Sequence, residues 1–170
     1  MRQENNELIE RAKLILPNMP DEVFDSFMAP LIINDIGWPF LTAGDSLAGT
    51  DWHRILYPLS LSFFCQLKWK ITKFYLNKED LYQDSICDIN WTIINKTEDV
   101  WALIGRDSKP SRDSLAWHKQ FIMMNGRLCT PVALAYTSSG IKVLDGIHRM
   151  AALLDLALND KLPIDAWIGE

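Results

Sequence analysis

The stretch VLDGIHRMAALL, Val143–Leu154, decides how this chain is read. Its first residues are apolar and strand-like, and Asp145-Gly146 then interrupts the run with turn chemistry. From Ile147 the period changes. Ile147, Met150, Ala151, Leu154 and Leu158 recur at helical spacing, a stripe that must pack inward. His148 lies one residue from the stripe and Arg149 is expected to point further outward.

A strand that turns into a helix has chemical consequences. The first N–H groups of a helix lack partners within it, and the macrodipole adds partial positive charge there. His148 and Arg149 reinforce that charge, and Gly146 lets the backbone approach a ligand or adopt a positive φ. Together they suit a phosphate. The plainer reading is a surface helix with an ordinary polar start. Asp145 has three roles open to it: capping the helix, holding His148, or carrying a magnesium ion beside a phosphate.

Working outward, PVALAY (131–136) reads as a buried strand, TSSG (137–140) as a turn and IKVL (141–144) as the hairpin partner. LPIDAWIG (162–169) reads as a closing strand. A helix is expected over about 111–125, stopped by Gly126. Before it lies the loop GRDSKPSRDS (105–114). If the scaffold aims this loop at the doorway, Arg106, Ser108, Lys109 and Arg112 add donors for a phosphate, and Asp107 serves as base or metal ligand. Otherwise the loop is solvated and Ser111 caps the helix.

The first half is less informative. Residues 5–16 read as a helix stopped by Pro17, and PDEVFDSFM (20–28) as a second, capped by Asp21. GWPFLTAGDSLAGTDW (37–52) is rich in breakers and reads as a loop. Within it GDSLAG has the glycine spacing of a phosphate loop, but no Gly-Lys-Ser/Thr follows, so it reads as a turn. Thr50 is placed at the cap of a helix running through Leu56, interrupted at Pro58 and resumed to Leu67. KWKITKFYL (68–76) reads as a strand with Trp69 and Ile71 on one side and Lys68 and Lys70 on the other. NKEDLYQDSI (77–86) reads as a short helix, DINWTIIN (88–95) as a strand, and TEDVWALIG (97–105) as a short helix capped by Thr97.

Composition sets the outer bounds. Of 170 residues, 48% are hydrophobic and 23% charged, which predicts a packed core rather than disorder. The net charge of −5 disfavours general nucleic-acid binding, which rests on phosphate neutralisation. Cys65, Cys87 and Cys129 are odd in number and lack CxxC spacing, so neither a disulfide framework nor a zinc site is indicated. MRQENNELIE is too polar for a signal peptide, and ILYPLSLSFFCQL (55–67) is too short and interrupted to span a bilayer. A cytoplasmic location is the expectation. His53 and His118 stand without an i, i+4 partner, and His118 reads as a structural or surface histidine.

The segments GRDSKPSRDSLAWHKQFIMMNG and PVALAYTSSGIKVLDGIHRMAALLDL together resemble the ParB N-terminal domain/sulfiredoxin superfamily, whose signature is a hairpin feeding a D-G-x-H-R-x-x-A-like turn and helix. The likeness covers roughly residues 102–169 and leaves 1–95 uncovered. It implies an α+β fold with a small mixed sheet and flanking helices over 96–170, preceded by a helix-containing extension over 1–95. It also implies a nucleotide (ATP, ADP or CTP, with Mg2+) whose phosphates meet Gly146, His148 and Arg149. Arg106, Ser108 and Ser114 would assist, and Asp145, His148 and Asp107 would be the catalytic candidates, with Asp145 also the metal ligand. Hydrolysis, phosphoryl transfer and nuclease action all fall within this implication. The departures are specific. Ile147 stands where sulfiredoxins carry their reactive cysteine, which argues against sulfinic-acid reduction. Ser114 matches a nucleotide-holding serine, but the accompanying lysine falls near Ser111. The large DNA-binding helices of partition proteins have no counterpart after the box. The competing reading is a non-catalytic module, such as an immunity protein or regulator, that keeps the fold and meets a protein partner through residues 1–95.

Overall fold

The computed structural model describes the backbone of residues 2–33, 46–47, 50–51, 59–95 and 115–170. It is an α+β protein whose chain forms two compact units, residues 1–69 with Glu170, and residues 70–169.

In the first unit, α1 spans Arg2–Ile15 and buries Ala12, ending just ahead of Pro17 as expected. Helix α2 (Asp21–Val23) runs into a π-helical turn, Phe24–Met28, and then α3 (Ala29–Ile33). Pro20, not Asp21, occupies the N-cap position, and Asp21 sits in the first turn instead, where its charge suits the dipole. The segment outlasts the expected end at Met28 even though Pro30 cannot donate a backbone hydrogen bond. The Ala29 N–H reaches back to Phe24 O, so the turn is widened just before the ring. Two short strands, β1 (Ser46–Leu47) and β2 (Thr50–Asp51), pair antiparallel, and β1 falls within GDSLAG, which was expected to be a turn. Thr50 therefore lies in a strand rather than at a helix cap, and residues 52–58 of that expected helix lie outside the described residues. Helix α4 (Leu61–Gln66) is capped by Ser60, whose Oγ accepts from Phe63 N at 3.2 Å. Phe64 is buried with Phe24 and Met28 in this unit.

The second unit carries a four-stranded sheet in the order β3 (Trp69–Phe74), β6 (Ile164–Gly169), β4 (Val132–Thr137), β5 (Gly140–Asp145). β4 runs antiparallel to β5 and parallel to β6, making the sheet mixed as expected. Four consecutive buried residues, Val132–Ala135, identify β4 as a central strand covered on both faces. In β3 the half-buried positions are Trp69, Thr72 and Phe74, while Ile71 is 54% exposed. Of the short helix expected over 77–86, Lys78–Asp80 is a 3-10 turn capped by Asn77, and an α-helix begins at Gln83.

The largest correction concerns residues 88–95. They read as a strand, yet α5 spans Gln83–Asn95. Ser85, Ile89 and Thr92 are its buried residues, and that i, i+4, i+7 spacing is a helical stripe that outweighs the local β-branched content. Elements on both sides of residue 95 thus contribute to this unit. Helix α6 (Leu115–Asn125) ends at Gly126 as expected, and residues 97–114 lie outside the described residues. Helix α7 (Ile147–Asp155) packs against both α5 and α6. Its buried face is wider than the expected stripe and includes Ala152 and Leu153 beside Met150 and Ala151.

The outer edge of β5 is occupied by its own chain. Leu81 bridges Ile141, Tyr82 N donates to Ile141 O at 2.8 Å, and Val143 N donates to the buried Ser85 Oγ at 2.9 Å. Gly140, at φ +122, fits here because a Cβ would lie 2.9 Å from Asp80 O.

Candidate functional site

The doorway forms as the sequence suggests, through a local irregularity. β4 and β5 pair Ala133 with Asp145 but Leu134 with Val143, so Leu144 is the extra residue of a β-bulge. A regular strand would send neighbouring side chains to opposite faces. The bulge resets that alternation just before the turn, and Leu144 and Asp145 both reach one cavity. Gly146 follows as the N-cap at φ +104, without a side-chain cap. Met150 N donates to Gly146 O at 2.9 Å, so the N–H groups of Ile147, His148 and Arg149 precede the first intrahelical bond.

Arg149 does not point outward. Its side chain is only 12% exposed and folds back over the helix start. Nη2 donates to Asp145 Oδ2 at 2.5 Å, and Nη1 donates to Thr130 Oγ1. Both Nε and Nη2 lie 3.0 Å from the point a Gly146 Cβ would occupy. Nε is buried and has no acceptor among the described residues. Asp145 does not cap the helix; it pairs with Arg149, and the positive φ of Gly146, with Val132 Cγ1 2.6 Å from where a Cβ would sit, accounts for a glycine there.

This arrangement forms one wall of a cavity of about 820 Å³ whose described lining residues all belong to the second unit. Gly146, His148 and Arg149 line it from α7; Asp88, Trp91 and Thr92 from α5. Trp117 and His118 line it from the first turn of α6, and Cys129 and Thr130 from the connection after that helix. Trp91 is 42% exposed. Lys119 Nζ and Asp155 Oδ2, 2.5 Å apart, fasten α6 to α7 beside the cavity.

His118 was expected to be structural or superficial. It is 7% exposed, and its Nδ1 stands 3.7 Å from Cys129 Sγ. Burial, then the charges of Arg149 and His148, push its pKa from 6.5 to about 4, which keeps the ring neutral at neutral pH. The Trp117 ring meets it edge-on at 5.0 Å. Across the cavity, burial raises the Asp88 carboxyl above its ordinary pKa, with Lys142 opposing and Asp84 adding to the shift.

Of the residues singled out from sequence, Asp145, Gly146, His148 and Arg149 meet in this cavity. Asp107, Arg106, Ser108 and Ser114 lie outside the described residues. His118, Cys129, Thr130 and the two indoles were missed as a group. His118 was findable, since Leu115, His118 and Ile122 share one helical face and all three are buried. Cys129 carried no such signal; it sits in the connection from α6 to β4, and only the fold brings it to the imidazole.

Among the described residues no group of three or more His, Cys, Asp or Glu side chains could hold a metal ion. Comparison with protein-family models, with curated proteins and with solved structures returns no match.

Proposed function

We propose that the second unit binds a nucleotide-class ligand in this cavity, its phosphate at the start of α7 and its base against the indoles. The observation that carries the reading is a coincidence in space: a helix start with no side-chain cap, flanked by His148 and Arg149, shares one cavity with Trp91 and Trp117. The volume of about 820 Å³ falls in the range of small-ligand sites. Helix N–H groups and a guanidinium favour a dianion, and an aromatic wall favours a flat heterocycle. In this reading Asp145 holds Arg149 in place for the phosphate. The ParB/sulfiredoxin-like resemblance points the same way, and hydrolysis, phosphoryl transfer or nuclease action would be the chemistry it brings. Asp145 is engaged by Arg149, and the described residues offer no group of three or more metal-ligating side chains.

One observation favours the competing reading of a protein-binding module that keeps the fold. Each Nη group of Arg149 already donates one hydrogen bond, to Asp145 or to Thr130, as in a structural pair. Titration with ATP, ADP, CTP and GTP, with and without Mg2+, separates the two. Saturable binding that is lost in Arg149→Ala and His148→Ala, with the circular dichroism unchanged, supports the nucleotide site. No saturation with any of the four, together with a stoichiometric complex with a cellular protein, supports the module.

A further inference from the structure

Two carboxylates line the cavity, and they differ in what holds them. Asp145 is engaged by Arg149. The side chain of Asp88 forms no hydrogen bond or ion pair among the described residues. Lys142, the cation that acts on it, is bridged to Asp84 at 3.7 Å and stands over the Tyr82 ring at 5.3 Å. Asp88 is exposed enough to be reached by a ligand, yet burial still raises its carboxyl above the ordinary pKa. A hydrogen bond made in such a partly desolvated place is stronger than one made in water. Asp88, Trp91 and Thr92 stand at i, i+3 and i+4 of α5, so they share one face, and all three line the cavity. Thr92 Oγ1 donates to Asp88 O at 2.8 Å, which commits its proton and leaves its lone pairs. The α5 wall therefore combines acceptors with an aromatic ring. A carboxylate repels phosphate, so this wall suits the base of a nucleotide and leaves the phosphates to the start of α7.

We propose that Asp88 makes the site selective for guanine nucleotides, its carboxylate oxygens accepting from N1–H and the exocyclic amino group of the base. The inference rests on the nucleotide reading above and narrows it to one base. An ionised carboxylate only accepts, so it favours the base edge with the most adjacent donors. Guanine presents a ring N–H beside an amino group, a pair that a carboxylate takes with both oxygens. Adenine and cytosine each present an amino group beside a ring nitrogen that is itself an acceptor. That lone pair faces the second carboxylate oxygen and is repelled. Uracil presents one N–H between two carbonyls, and both carbonyls are repelled in the same way.

The test titrates the full chain with GDP, ADP, CDP, UDP and inosine diphosphate, followed by calorimetry. Inosine diphosphate is GDP without the exocyclic amino group. GDP is expected to bind roughly tenfold or more tightly than each of the others. Asp88→Asn replaces one acceptor with a donor, which matches xanthine, where a carbonyl stands in place of the amino group. In that variant the affinity for GDP is expected to fall roughly tenfold or more, and xanthosine diphosphate is expected to bind more tightly than GDP. A gain for xanthosine diphosphate cannot arise from lost folding. ADP or inosine diphosphate binding as tightly as GDP overturns the guanine assignment and leaves the nucleotide reading in place. So does an unaltered GDP affinity in Asp88→Asn. No binding by any of the five overturns both. The comparison of GDP with inosine diphosphate needs no variant, so it decides even where Asp88→Asn fails to fold.

Discussion

Replacing His118 with leucine should flatten the acid limb of the stability curve. In the folded chain the imidazole is held near 4 by burial and by the charges of Arg149 and His148, against 6.5 when exposed. Between those values the unfolded chain binds a proton that the folded chain does not. Stability therefore rises with pH through this window, is complete above about pH 6.5, and is lost as pH falls toward about 4. At 1.36 kcal/mol per pH unit the full loss is roughly 3 kcal/mol. The measurement is urea unfolding followed by circular dichroism from about pH 7 to about pH 4.5, wild type against His118→Leu. Carboxylates titrate in both proteins and cancel in the difference. The difference should change by roughly 2–3 kcal/mol across the range, with the wild type losing more. Arg149→Met removes one cause of the depression, so the folded histidine titrates closer to 6.5, and the loss should end at a higher pH and be smaller in total than in the wild type. Parallel curves for wild type and His118→Leu would refute the placement of an unprotonated imidazole in this wall.

Further expectations concern the doorway and its support. Gly146→Ala forces a residue at φ +104 to carry a Cβ 2.6 Å from Val132 Cγ1, and should cost about 3 kcal/mol or more, read as a lowered denaturant midpoint. Ser85→Ala leaves the Val143 N–H without its buried acceptor and should cost about 1–3 kcal/mol on the same measurement. A double-mutant cycle on Asp145→Asn and Arg149→Ala should return a coupling of about 1–2 kcal/mol; a value near zero would mean that the carboxylate does not hold the guanidinium in solution.

The hairpin, the turn and the helix of the second unit were legible because each announces itself locally. Thr137–Gly140 is turn chemistry, Asp145-Gly146 breaks a strand, and the stripe from Ile147 has the helical period. Gly126 likewise marks the end of α6. Residues 88–95 misled because Trp, Thr and three isoleucines favour strands locally, whereas burial of Ile89 and Thr92 rewards a helix. The direction of Arg149 was misjudged for a different reason. A left-handed Gly146 and a bulge at Leu144 carry Asp145 to a place where it can draw the guanidinium back, and neither distortion has a period to read. The way the cavity wall is assembled carries no local signal. Asp88 and Cys129 stand 41 residues apart in the chain (129 − 88), and only the packing of α5 and α6 on α7 brings them to a common space.

The way residues 80–85 lie along β5 also bears on self-association. A terminal strand in a sheet ordinarily presents a ladder of unsatisfied peptide groups, and a second molecule can zip onto it. Here Tyr82 and Ser85 take up Ile141 O and Val143 N, and the carbonyl of Asp80 lies too near Gly140 to admit anything larger. An extended peptide approaching from that side would first have to peel this segment away. The hairpin most legible in the sequence is thereby shielded from templating its own aggregation.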